Sequence, residues 1–400
     1  METPQIKRPG VCSACGSRLK RNGTTKAGTT RWRCTGCGAS STKRRPDLVR
    51  RSQLERFVAW LLGKSTQGES AAQARSFRRL HAWCWNVIPA VRPTGVVHDE
   101  IQLDGLYLRG GWCVLVAIAD MKVVDWQWCN RENAAAWGAL LERIPPPRVV
   151  LVDGGSGLAK ALKMVWPQVH VQRCLLHVKR VVLSNISRNS RTTAGRSLRV
   201  IASELTQVRT IKQATDWIGR LHEWHQVFEV FINEKTIAGP GVVRPEWAPS
   251  GKEWWWTHKK ARSAYTGLEA RVRAGDLFTF LDPKFDGLNI SSTTNRIEGG
   301  INAQLRLVLR HHRGMSIHHR RRAIDWWCYT HAEFPVPLTE LARPEQWQPR
   351  EKPTVIDAET PGSWGTEATA EEGLHARQGW AGRPASGFTT RRSTNNHHDD

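Results

Sequence analysis

The chain has 400 residues, with 59 Lys and Arg against 36 Asp and Glu, a formal net charge of +23 at pH 7. Its longest clean apolar run, Trp112 to Ala119, is far shorter than the roughly 20 residues a membrane-spanning helix needs, so a transmembrane protein is excluded. Hydrophobic residues make up 40% of the sequence, enough to bury a core, and the length implies two or three folded units.

The positive charge is concentrated ahead of residue 334, and the segment that follows is slightly acidic. A polyanion is the matching partner, and nucleic acid suits it better than an anionic membrane because no amphipathic anchor or lipidation signal is present. The first residues, METPQIKRPG, do not resemble a secretory signal. The expectation is a soluble cytoplasmic protein associated with the nucleoid, with no membrane partner.

Cys12-x2-Cys15 and Cys34-x2-Cys37 form two tight knuckles eighteen residues apart. Four thiolates so spaced can surround one Zn2+ tetrahedrally, which makes residues 1–45 a zinc ribbon; the competing reading is a pair of redox dithiols. Gly16 and Gly38 follow the second Cys of each knuckle, where the chain must turn beneath the metal. The basic residues Arg18, Lys20 and Arg21 suit a ribbon face that touches DNA, although a purely structural ribbon fits the same residues.

Next, Lys43-Arg44-Arg45-Pro46-Asp47 reads as a linker, and residues 46–92 form a small helical unit. Leu54, Phe57, Val58 and Leu61 recur at helical spacing, and Ser76 is expected to cap a last helix over Arg78 to Val87. That arrangement suits a helix-turn-helix presenting Arg75, Arg78 and Arg79 to DNA, or an ordinary bundle with solvated arginines. From residue 96 the period shortens. Three consecutive strands, 96–108, 112–119 and 123–129, precede alternating helix and strand to about residue 185, which predicts an α/β fold with a mixed five-stranded sheet. This order is compatible with a ribonuclease-H-like catalytic domain over residues 96–332. Apolar stripes between about 190 and 285 predict an all-helical insertion, one stripe running from Trp254 through Tyr265 to Val272. Residues 335–400 are poor in Ile, Leu, Val and Phe and are expected to be a disordered tail.

Three acids stand out by context. Asp104 lies inside an apolar strand, where an unneutralised carboxylate is costly; Asp153 ends the strand Val149 to Val152; Glu298 sits in the first turn of a helix expected over Asn295 to Arg310. Asp153 also suits a turn, and Glu298 a capping box with Asn295. If the two central strands are neighbours, Asp104 and Asp153 emerge side by side. Such carboxylates can hold two divalent cations, Mg2+ or Mn2+, that activate a water or 3′-hydroxyl toward a phosphodiester.

Four segments in order, Ile101-Gln102-Leu103-Asp104-Gly105-Leu106-Tyr107, Val150-Leu151-Val152-Asp153-Gly154, Val171-Gln172-Arg173-Cys174-Leu175-Leu176-His177-Val178-Lys179-Arg180 and Thr293-Thr294-Asn295-Arg296-Ile297-Glu298-Gly299, resemble the signatures of Mutator-like transposases of bacterial insertion sequences. The resemblance covers roughly residues 96–332. It implies a ribonuclease-H-like core, a DDE triad of Asp104, Asp153 and Glu298, and two bound metal ions. It also assigns Cys174 and His177 to the family's Cys-x2-His signature. Two ligands alone do not complete a zinc site, so these are motif residues supporting the active site, together with Asn295. Asn302 and Arg306 follow Glu298 at i+4 and i+8, and on one helical face they can reach scissile phosphates.

Arg310 and Arg313 extend positive charge beyond that helix toward DNA. Trp254-Trp255-Trp256 cannot all face one helical core, and an exposed indole there can stack on an unpaired base. The expected protein is a transposase that binds the terminal inverted repeats of its element, cleaves and joins strands at target DNA, and works as a homodimer or larger assembly. The alternatives are a non-catalytic zinc-ribbon DNA-binding regulator and a structure-specific nuclease of the same fold.

Overall fold

The computed structural model describes residues 11–343, apart from 13–14, 27, 29, 42–45, 71–73, 109–110, 249 and 313. Most of the linker, Arg313 and most of the expected tail lie outside the described residues. The chain divides into two compact units, the first built from its N-terminal 94 residues, Lys122–Val124 and residues after 300, the second from Gly95–Met121 and Asp125–Gly300.

The first unit begins with the ribbon. Strands β1 (Leu19–Thr24) and β2 (Thr30–Cys34) pair antiparallel, Leu19 opposite Cys34, and β3 (Ser40–Ser41) adds to β2. Gly16 and Gly38 adopt φ of +74° and +71°, left-handed turns that a side chain would strain. Helix α1 (Pro46–Leu62) buries Leu54, Phe57, Trp60 and Leu61; α2 (Gln67–Ser70) and α3 (Ala74–His81) follow, and a 3-10 turn, Ala82–Asn86, closes the run. The core here is aromatic, with Phe57 edge-on to Trp85 at 4.8 Å and Trp60 against Phe77 at 5.1 Å. Helix α3 starts two residues before Ser76, so Ser76 lies inside the helix rather than capping it.

Strands β4 (Glu100–Leu108), β5 (Trp112–Ala119), β6 (Lys122–Cys129), β7 (Val149–Val152) and β8 (His170–Arg173) form one sheet in the order β6-β5-β4-β7-β8, all of it in the second unit except the first three residues of β6. The first three strands are hairpin neighbours. Asp120 and Met121 between β5 and β6 both have positive φ, as a tight hairpin turn requires. β7 and β8 run parallel to β4, each reached through a helix: α4 (Ala134–Leu141), capped by the Asn133 side chain on the Ala136 amide at 2.8 Å, and α5 (Ser156–Val165). The expected mixed five-stranded α/β sheet is thus present.

Helix α6 (Leu175–Asn185) leads into a helical block, α7 (Thr193–Glu204) and α8 (Ile211–Ile232), the latter opened by a complete Thr210–Gln213 capping box. Trp217 and Trp224 are buried, and their indole N–H groups donate to the carbonyls of Ile201 (2.8 Å) and Ala194 (3.1 Å), which locks α8 onto α7. The block is not all-helical. β9 (Lys235–Ile237) and β10 (Trp254–Trp256) form an antiparallel hairpin before α9 (Lys259–Ala274) begins, so Trp254 belongs to a strand and not to the stripe of Tyr265 and Val272. A strand's two-residue period resolves the three consecutive tryptophans: Trp255 is buried, while Trp254 and Trp256 share the other face. After α9, Gln172 of β8 is pinned by the following segment, donating to the Leu277 carbonyl (2.7 Å) and accepting from the Phe280 amide (3.0 Å).

Beyond residue 300 the chain belongs to the first unit again, with α10 (Asn302–His311), α11 (Ile317–Thr330) and α12 (Leu338–Leu341). The His312 ring packs on Trp60 at 4.9 Å and bonds the Leu61 carbonyl at 2.9 Å, while His319 stacks on Trp85 at 3.8 Å. The N-terminal helices therefore share their core with helices from the far end of the chain.

Candidate active site

The register of β4 and β7 decides where the two aspartates stand. Ile101 faces Val150 and Gln102 faces Leu151 in parallel; two residues further on come Asp104 in β4 and Asp153 directly after β7. Both side chains are partly exposed at a sheet whose surroundings are buried. Asp104 accepts the Gly105 amide at 2.9 Å, and Asp153 accepts the Gly155 amide at 3.2 Å, the latter a local turn that points the chain into α5.

A third carboxyl joins them that the sequence did not single out. Glu132 lies between β6 and α4, and its carboxylate rests so closely on the Cα of Gly105 that a Cβ there would overlap it. Burial first, and then the charges of Asp153 and Asp104, push the Glu132 carboxyl well above the ordinary carboxylate range. Its amide donates to the Tyr107 hydroxyl at 3.3 Å, and the Cys113 thiol lies 3.8 Å from its carboxylate. In sequence, Asn130-Arg131-Glu132-Asn133 reads as a polar loop ahead of a capping Asn, and only the folding of β6 beside β5 brings that loop to the site.

A cation stands beside Gly154, the residue after Asp153. The buried guanidinium of Arg173, at the end of β8, lies against the backbone of Gly154, which has φ of +111°; any Cβ there would collide with it. The neighbouring residue, Cys174, caps α6 and is part of a buried clasp. Its Sγ accepts from the amide (3.3 Å) and hydroxyl (3.2 Å) of Thr294, whose Oγ1 is also 3.4 Å from His177 Nδ1, and the Leu175 amide donates to the Ser292 carbonyl at 3.0 Å. Burial alone would raise the Cys174 thiol, but His177 and Thr294 outweigh it and hold it below its ordinary value. Cys174 and His177 thus fasten the 292–294 segment to the start of α6.

Immediately after this clasp, Arg296–Ile301 forms a π-helical turn that carries the backbone of Glu298; the side chains of Arg296 and Glu298 lie outside what the structure describes. The expected regular helix from Asn295 therefore begins wide, and Asn302 and Arg306 do not follow Glu298 at α-helical offsets. Asn295 is exposed; Asn302, buried, and Arg306, partly buried, lie on α10 of the first unit.

At the N-terminal ribbon, the Sγ atoms of Cys12, Cys15, Cys34 and Cys37 all lie within 4.8 Å of one another, with Cys12 to Cys37 at 3.7 Å and Cys15 to Cys34 at 3.3 Å. A tetrahedral ZnS4 centre with Zn–S bonds of ~2.3 Å has an edge of about 3.8 Å, so the four thiols fit one zinc ion. The amides of Gly36 and Cys37 donate to Cys34 Sγ at 3.3 and 3.4 Å, and hydrogen bonds from Ser17 pull the Cys15 thiol down to about 6, while the crowding of the neighbouring thiols pushes Cys37 up to about 11. Arg18, Lys20 and Arg21 on the ribbon, Arg75, Arg78 and Arg79 on α3, and Arg310 on α10 are all exposed.

Residues 113–233 match the family model described as transposase, Mutator family, a span that includes Glu132, Asp153, Cys174 and His177. Over 153 residues, 34% of this chain and 36% of the relative, the sequence is 29% identical to the transposase for insertion sequence element IS905 of Lactococcus lactis subsp. lactis. Over 70 residues, 16% of this chain and 19% of the relative, it is 33% identical to the transposase for insertion sequence element IS1201 of Lactobacillus helveticus. The chain thus spans about a third and a fifth of the lengths of these curated relatives. Two of the four signature segments, around Asp153 and around Cys174 and His177, lie within the matched span, and over that span the chain is similar to the Mutator-family transposases of bacterial insertion sequences.

Proposed function

We propose that this protein is a DNA transposase with a ribonuclease-H-like catalytic core, which binds the terminal inverted repeats of its element and carries out metal-dependent strand cleavage and strand transfer. The observation that carries this reading is the convergence of Asp104, in the middle of β4, and Asp153, directly after the neighbouring parallel strand β7, with Glu132 in the loop after β6 within reach of the charge of both. Three carboxyl groups form an all-oxygen donor set that suits Mg2+ or Mn2+. Asp104 and Asp153 would hold the ions, with Glu298, on the turn that follows the Thr294 clasp, as the third ligand. Bound there, two such ions supply an activated water or 3′-hydroxyl and charge stabilisation at the leaving oxygen.

The chain's own residues do the positioning. Arg173 balances negative charge at the end of β8, the Cys174–Thr294–His177 clasp fixes the approach of the Glu298 turn, and the exposed arginines of the ribbon and α3 offer phosphate contacts to a duplex. A second reading of the triad has a specific observation behind it: Glu132, in electrostatic contact with both aspartates, takes the third place instead of Glu298. The overall assay is cleavage and strand transfer on a terminal-repeat duplex with Mg2+. Asp104→Asn and Asp153→Asn are each expected to lower the rate by about three orders of magnitude, the several kcal/mol of charge stabilisation that the ions supply. Undiminished activity in either variant would favour a non-catalytic regulator, and cutting governed by DNA structure without repeat preference would favour a nuclease.

A further inference from the structure

Away from the carboxyls, the helical block carries a surface of a different character. A groove of about 290 Å3 runs between the turn ahead of α7, with Ser190 and Thr192, and the start of α9, where Trp247, His258, Lys259 and Lys260 line it. Its volume is near the lower end of ligand-binding clefts, about 300 Å3. Trp247 is 40% exposed, and the Lys259 ammonium lies 4.3 Å from its ring centroid. The hairpin that leads into the groove repeats the motif: Trp254, 37% exposed, has the Lys235 ammonium 4.3 Å from its centroid, and the Arg262 guanidinium sits 3.9 Å from that of Trp256. Between Lys235 and Arg262 there are six Lys or Arg residues and two acids.

Trp247, in the connection between β9 and β10, and Trp254, on β10, expose two indoles within eight residues of each other, a local concentration of apolar surface of the kind that marks interaction sites. Cations held over the rings exclude a plain apolar partner, whereas alternating flat rings and positive charges match alternating bases and phosphates. A duplex keeps its base faces inside the stack, so only unpaired nucleotides present both groups at once. We infer that this groove binds a single-stranded stretch of DNA, a base stacking on Trp247 and phosphates meeting Lys259 and Lys260. This deepens the transposase reading, because broken and displaced strand ends are what such chemistry creates, but the binding itself requires no metal and no catalysis.

The test uses the full chain in magnesium-free buffer, with a fluorescein-labelled twelve-nucleotide oligodeoxythymidylate and, in parallel, a duplex of mixed sequence, followed by anisotropy. Trp247→Ala is expected to weaken oligothymidylate binding by about 5- to 100-fold, and Trp247→Phe to restore most of it. Lys259→Ala/Lys260→Ala is expected to lower the slope of log K against log salt by about 1.4 for the single strand. Duplex affinity should change less than about twofold in each. Wild-type binding by Trp247→Ala, an equal loss on single strand and duplex, or displacement by polyglutamate as effective as by oligothymidylate would each overturn the proposal. Trp247→Phe separates ring loss from misfolding. Asp104→Asn keeps the groove intact, so retained cleavage in Asp104→Asn together with lost single-strand binding in Trp247→Ala would sink the catalytic reading and leave this one standing.

Discussion

The carboxylate of Glu132 occupies the space that a side chain at position 105 would fill, so the glycine after Asp104 makes room for an acid 27 positions further along. Gly105→Ala is therefore expected to expel Glu132 from the site while leaving Asp104 in its strand. If Glu132 takes part in metal binding, Gly105→Ala and Glu132→Gln should lose cleavage together and weaken Mn2+ binding measured by calorimetry. Were Glu298→Gln inactive and both of these fully active, Glu132 would have no part in the reaction.

The clasp on α6 gives a second prediction. Thr294→Val removes the hydroxyl shared by Cys174 and His177 without changing side-chain shape, at a cost of about 1–2 kcal/mol in stability. Because the Glu298 turn follows directly, cleavage should fall further than the melting temperature suggests. Thr294→Ser, which keeps the hydroxyl, should recover most of the rate.

Zinc content is the readout for the ribbon. Purified protein is expected to hold one zinc ion per chain, released on thiol modification, and Cys34→Ser to hold almost none. Among the described residues of the ribbon only Cys12 and Cys34 are buried, so without the metal little holds it together, and proteolysis should begin within residues 11–41 and spare the second unit.

Three histidines make the first unit sensitive to acid. Burial, the leading cause in each case, holds His81, His312 and His319 below their ordinary value of 6.5. The unfolded chain therefore takes up protons at a higher pH than the folded one. The stability these neutral rings contribute is complete above pH 6.5 and is lost as the pH falls below it toward their folded values. The melting temperature of the first unit should drop between pH 7 and pH 5.5, and His312→Gln should flatten that dependence.

The sheet was legible because β5 is a long apolar run set off in the sequence by Gly110-Gly111, and the short apolar β7 follows the break at Pro145-Pro146-Pro147 after a helix; a parallel return through that helix brings Asp153 toward Asp104. Glu132 was not, since an acid in a polar loop looks the same whether it is solvated or folded against a glycine 27 residues earlier. Trp254–Trp256 misled for another reason: three consecutive aromatics fit a helix or a strand equally, and the hairpin partner that decides the matter, Lys235–Ile237, is too short to announce itself. The shared core of α1, α3, α10 and α11 depends on contacts across more than two hundred residues, which no local pattern encodes.

That shared core governs how the protein can be cut into pieces. An N-terminal fragment ending at residue 94 would lack the histidines that cover Trp60 and Trp85, leaving wet indoles where the intact chain has packed rings. Such a fragment should aggregate, whereas splicing residues 301–343 onto it through a short linker should give a soluble, cooperatively melting domain.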